Sequence, residues 1–164
     1  MNHGIETLMS WFVPASADRS RSEIEMARVF VFTHLFGPIL AQPMIVYLAF
    51  VSQSIGPPLV TMIAAICSFW LLPFILRFTD RIGPASFCSF QLLAATSLFG
   101  TFFYGGFSSP FLPWLIVALL LGLFYHARNQ RMILTVFVAD IGTFLLAATL
   151  WPMTPIVPVE HLNI

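Results

Sequence analysis

The 164-residue chain carries seven arginines, seven acidic residues and no lysine; 59% of it is hydrophobic and its mean hydropathy is +0.90. Only 9% is charged, against about a quarter in ordinary globular domains, which excludes a water-soluble surface. A net charge of zero offers no bulk attraction to nucleic acid.

In chain order, residues 1–28 form the one long polar stretch, expected to be a cytoplasmic or interfacial segment. Ile5, Leu8, Met9, Trp11 and Phe12 make a short amphipathic patch ended by Pro14, suited to the plane of a membrane interface with Trp11 at headgroup depth. It is not a signal peptide, because no basic region precedes it. Ser22 followed by Glu25 fits a capping box and predicts a helix start.

Five spans follow within a transmembrane domain of residues 29–151, each judged against the roughly 20 apolar residues needed to cross a bilayer core. The first, 29–51, contains Pro38 and Pro43 and is expected to kink. A turn at 56–58 leads to the second, 59–76. A polar turn at 77–81 leads to the third, 82–103. A Gly- and Ser-rich link, 104–109, leads through Pro110 to the fourth, 111–125. A polar turn at 126–131 leads to the fifth, 132–151. A proline-punctuated tail, 152–164, is expected outside. Cys67 and Cys88 lie inside apolar runs and read as small buried hydrophobes, not as a redox pair or a metal site.

Every positive charge falls in one of three clusters: Arg19, Arg21 and Arg28; Arg77 and Arg81; Arg128 and Arg131. In a five-span chain these are alternate ends, so all seven arginines share one side. The excess of arginine in cytoplasmic loops then predicts an all-α integral membrane protein with a cytoplasmic N-terminus and a C-terminus outside. Asp80, among these arginines, is placed to pair with Arg77 or Arg81, a contact worth little when exposed.

Four polar side chains lie inside the spans: His34, Gln42, Gln91 and Asp140. Asp140 is the one intramembrane carboxylate, close to mid-span, where a charge costs about 2.5–3.5 kcal/mol on insertion scales. It reads either as a proton site or ligand counter-ion, or as a buried interhelical hydrogen bond with the carboxyl protonated. His34 and His126 invite a haem or metal reading, but no paired spacing supports it. The plainer reading has His34 bonding a neighbouring helix and His126 closing a helix C-terminus. Gln42 and Gln91 fit helix–helix contacts. The link built from Tyr104, Gly105, Gly106, Ser109, Pro110 and Trp114 reads either as a tight hairpin or as a shallow pocket for an apolar or quinone-like ligand. No phosphate loop, nucleophile–base set or metal cluster is present in the sequence, so neither catalysis nor a resident cofactor is expected; lipid, quinone or pigment contact stays open.

The runs RVFVFTHLFGP at 28–38, SFWLLP at 68–73 and YGGFSSPFLPW at 104–114 resemble the membrane input region of bacterial sensor histidine kinases. The resemblance covers residues 28–151 and implies a multi-pass protein of the bacterial cytoplasmic membrane. In that family the membrane region returns the chain to a cytoplasmic kinase. Here five spans are expected to end outside, with no phosphotransfer or ATP-binding segment.

Three functions follow as expectations. One is a non-catalytic accessory or structural subunit of a larger respiratory or photosynthetic membrane complex, partnered by lipid and other membrane subunits. Another is a sensory input module, truncated or working through a separate kinase. The third is a small proton or solute transporter using Asp140 and His34, against which the absence of an inverted repeat argues.

Overall fold

A computed structural model describes residues 3–13, 20–52, 55–151 and 153. The breaks expected at Pro14, the charge at Arg19 and the tail from Pro152 onward, apart from Met153, lie outside the described residues, as does the side chain of Ile5.

The described chain is helical: α1 (His3–Phe12), α2 (Arg21–Val51), α3 (Pro57–Ser68), α4 (Leu72–Thr79), α5 (Ile82–Phe103), α6 (Trp114–Tyr125) and α7 (Gln130–Leu150), with single 3₁₀ turns at Phe69–Leu71, Gly106–Ser108 and Ala127–Asn129. Four stretches are long and apolar enough to cross a membrane: Arg21–Val51, Pro57–Thr79, Ile82–Phe103 and Ala127–Leu150. Large apolar side chains stand exposed all around them, including Leu40, Phe50, Phe78, Val138 and Leu146. So much exposed apolar surface suits a lipid surround rather than water, as in a multi-pass membrane protein.

Proline sets several boundaries. The second span is not one continuous α-helix: Pro73 has no N–H for the Phe69 carbonyl, and the Leu72 N–H takes that carbonyl instead, tightening the chain into a 3₁₀ turn. The expected span 111–125 is likewise α-helical only from Trp114. Pro110 and Pro113 interrupt the i→i−4 ladder, and Leu112 and residues 114–116 use i→i−3 bonds such as Leu112 N to Ser109 O, 3.2 Å, and Trp114 N to Phe111 O, 3.1 Å. Twelve residues rise only about 18 Å, short of a bilayer core. By contrast α2, at 31 residues, rises about 46 Å and overshoots one. Its capping box is Ser20 with Glu23, not Ser22 with Glu25: the Ser20 hydroxyl accepts from Glu23 N while the Glu23 carboxylate accepts from Ser20 N. Only this register places the box on the true helix start.

Helix α5 is the hub. It is the most buried of the four long helices, at 44% of its apolar stretch. Ala85, Ser86, Ser89, Ala94, Ser97, Gly100 and Thr101 are all buried on it. Small residues let neighbouring backbones approach closely, the usual basis of helix association in lipid. The hydroxyls of Thr96, Ser97 and Thr101 turn back on carbonyls four residues earlier, so they enter the interface already satisfied.

The core divides by depth. At one end Phe12, Val13, Ala27, Phe30, Val31, Leu72, Leu76 and Ala85 pack together, with Tyr125 against them. At the other end Ile45, Leu48, Leu59, Met62, Ile66, Tyr104 and Phe111 form a second cluster. The first end holds the start of α2, the α4–α5 turn and the end of α6, so Arg28, Arg77 and Arg81 gather there. Helix α6 runs antiparallel to α5, because Gly100 meets Phe111 while Gly122 meets Phe90 and Ile133. Helix α7 then runs parallel to α5, from Ile133 beside Phe90 to Phe144 beside Phe102, ring centroids 6.4 Å apart.

Helix α1 folds back on the arginine-rich end. Trp11 and Phe12 meet Phe74 edge-on at 6.2 and 5.3 Å, and the Arg77 guanidinium lies 5.2 Å from the Trp11 ring centre. The α4–α5 turn is tighter than the polar stretch 77–81 predicts. Helix α4 continues to Thr79, Asp80 takes the left-handed conformation at φ 54°, and α5 begins at Ile82.

Candidate functional site

Among the described residues, two contacts between polar side chains join helices inside the bundle, on either side of α5. On the α2 side, His34 is buried and both ring nitrogens are engaged: Nδ1 with the Phe30 carbonyl at 2.6 Å, Nε2 with the Ser89 hydroxyl at 2.7 Å. A carbonyl can only accept, so Nδ1 carries the hydrogen. In the neutral ring Nε2 then accepts from the Ser89 O–H. The Phe30 ring stacks on His34 at 4.0 Å and Phe69 lies parallel at 6.1 Å, sealing the contact in apolar surface. One residue on, Trp70 Nε1 donates to the Leu35 carbonyl at 3.0 Å, in the stretch of α2 that Pro38 interrupts.

On the α7 side, Gln91 Nε2 donates to Asp140 Oδ1 at 3.5 Å. Gln91 Oε1 and Asp140 Oδ2 are both buried and have no hydrogen-bond partner. Asp140 stands ten residues past Gln130 and Gln91 nine past Ile82, so both lie about 14–15 Å from the arginine-rich end, near the middle of their helices. Serine-rich α5 thus offers Ser89 to one neighbour and Gln91 to another from opposite faces of a single turn.

The other expected residues sit apart. Gln42 does not reach a second helix: its amide donates to the Pro38 carbonyl of its own helix at 3.0 Å. It opens onto a groove along α2 lined by Ile39, Pro43, Val46, Tyr47 and Phe50. His126 ends α6, its backbone N–H on the Gly122 carbonyl and its ring edge-on to Phe87. His34 and His126 therefore engage different partners, and among the described residues no three His, Cys, Asp or Glu side chains gather as a metal site. Neither cysteine is fully buried: Cys67 is half-buried and Cys88 exposed, because Cys88 is turned away from the face on which its neighbour Ser89 meets α2.

The 104–114 link is a compact hairpin. Gly105 and Gly106 take positive φ, 95° and 60°, and the Ser109 hydroxyl accepts from Phe111 N at 3.3 Å. Tyr104, Gly105, Gly106 and Ser109 are buried, Pro110 half-buried and Trp114 exposed. The space beneath is filled from within, as the Phe111 ring lies against Gly100, where a Cβ would meet it at 2.5–2.8 Å. Beside it the Tyr104 phenol is buried close to the Ser52 hydroxyl. Burial pushes the phenol above its usual range, and neither hydroxyl has a hydrogen-bond partner among the described residues.

The sequence pointed to the polar residues but not to their pairing. Ser89 gave no signal of its own, since serine is frequent along α5 and nothing in the chain marks one as facing a histidine 55 residues away. No protein-family model, curated protein or solved structure matches this chain.

Proposed function

We propose that this is a five-span protein of the bacterial cytoplasmic membrane, with its arginine-rich end and N-terminus in the cytoplasm, acting without catalysis as a subunit of a larger membrane complex. The observation that carries this reading is α7. It is the least covered of the four long helices, with 11% of its apolar stretch buried against 44% for α5. Its outer face combines exposed Leu134, Val138, Leu145, Leu146 and Leu150 with the small residues Ala139, Gly142 and Thr143, a composition suited to close approach by another membrane helix. The fifth crossing is supplied by α6 together with the turns at 110–113, and the gathering of Arg28, Arg77 and Arg81 at one end of the core supports the cytoplasmic assignment.

The test is mild-detergent extraction from native membranes followed by mass spectrometry. A stoichiometric set of respiratory or photosynthetic subunits is the expected result. Recovery of the chain alone overturns the subunit reading.

The second reading is a sensory input module, favoured by the resemblance over residues 28–151. The link that carries much of that resemblance, 104–114, shares an apolar cluster with the far end of α2, Tyr104 packing together with Ile45 and Leu48, so a change at the outer face bears on α2. Recovery with a histidine kinase would favour this reading.

A further inference from the structure

The Gln91–Asp140 contact does not balance as an ionised carboxylate beside an amide. Gln91 Nε2 supplies one hydrogen bond to Asp140 Oδ1. That leaves Gln91 Oε1 and Asp140 Oδ2, two acceptors on the two partners of one contact, both shielded from solvent and both without a donor. Turning the amide over exchanges its ends without adding a hydrogen to the pair as a whole. Among the described residues no cation pairs with Asp140; the nearest along α7 is Arg131, nine residues away or about 14 Å along the helix. One hydrogen on the carboxyl group meets the deficit: O–H from Asp140 to Gln91 Oε1, and N–H from Gln91 to the other carboxyl oxygen, close a two-bond ring.

We propose that Asp140 carries a proton in the folded protein and that α7 is docked on α5 by a carboxylic acid–amide pair between Asp140 and Gln91. The proton is a structural component of the bundle. It removes a charge that would otherwise stand unpaired near mid-membrane, where ionisable groups face the interior and take partners. It also fixes the rotation of α7, the helix with the least burial to hold it. The assignment does not depend on which partner the protein has.

Infrared spectroscopy of the full chain in lipid nanodiscs at neutral pH tests it. Carboxyl-¹³C-labelled aspartate confines the signal to Asp18, Asp80 and Asp140, the three aspartates of the sequence. A protonated-acid C=O band is expected, lost completely in Asp140→Asn. In Gln91→Leu the band should persist and move to higher frequency, because the acid carbonyl loses its amide donor. Carboxylate bands alone in the wild type overturn the proposal, as does an acid band that Gln91→Leu leaves unmoved. Should Asp140→Asn fail to fold, the wild-type and Gln91→Leu spectra decide the matter by themselves.

Discussion

The Ser89 hydroxyl lies 2.7 Å from His34 Nε2, and this contact ties α2 to α5 at a depth where neither side chain meets water. The Phe30 carbonyl holds the ring in the tautomer that needs an outside donor at Nε2, so serine at position 89 answers a need that His34 creates. Ser89→Ala leaves a buried acceptor unmet and should destabilise the bundle by about 1–3 kcal/mol. Combined with His34→Phe, the double variant should lose less than the sum of the singles, with a coupling of about 0.6–1.7 kcal/mol, the range found for polar contacts between membrane helices. Reversible unfolding in mixed micelles measures the cycle; strictly additive losses would show that the two side chains do not support one another.

Gly100 and Phe111 are matched by shape. A methyl group on Gly100 would sit 2.5–2.8 Å from three atoms of the Phe111 ring, and the ring is hemmed in by Tyr104 and the second core cluster. Gly100→Ala is therefore expected to cost about 1–3 kcal/mol, the usual cost of overpacking, seen as a lower thermal midpoint in detergent. Phe111→Leu in the same chain should recover part of the loss by vacating the contested space. A Gly100→Ala protein as stable as wild type would mean that the hairpin shifts freely.

The register of the α2 cap distinguishes two serines close in sequence. Ser20→Ala removes the hydroxyl that accepts from Glu23 N and should cost about 1 kcal/mol, with faster amide exchange confined to the first turn of α2. Ser22→Ala, one residue inside the helix, should leave exchange there unchanged. Equal effects at the two positions would contradict the cap.

Helix α1 is held by Phe12, buried at 4% exposure, and by the Trp11–Arg77 contact at its edge. Arg77→Ala should loosen it slightly, by about 0.5–1 kcal/mol. Phe12→Ala should loosen it strongly, by about 3–5 kcal/mol for a buried phenylalanine. Limited proteolysis between α1 and α2 reads both; cleavage faster in Arg77→Ala than in Phe12→Ala would reverse the assigned order.

Much of the architecture was legible in the chain because insertion into a bilayer is decided segment by segment. The uncharged stretches from Arg28 to Arg77 and from Arg81 to Arg128 have no cheap place outside lipid, and that holds whatever their neighbours are. The same local logic identified His34, Gln91 and Asp140 as polar groups needing partners. It failed where proline acts through a hydrogen-bond ladder, shortening α6 to Trp114–Tyr125 and breaking the second span at Phe69–Leu71, since the outcome depends on which carbonyl finds another donor. It misplaced the α2 cap by two residues because Ser20–Glu23 and Ser22–Glu25 share the same spacing.

Composition and charge placement alone determined that this protein is built of long apolar helices fit to cross a membrane, because burial of apolar surface and exclusion of charge are summed within each segment. The tertiary structure alone decided that His34 meets Ser89, that Gln91 rather than Gln42 reaches a second helix, and that Gly100 makes room for Phe111. Those pairings depend on how each helix is rotated and how deep it sits, and both are set by many weak apolar contacts around α5 acting together.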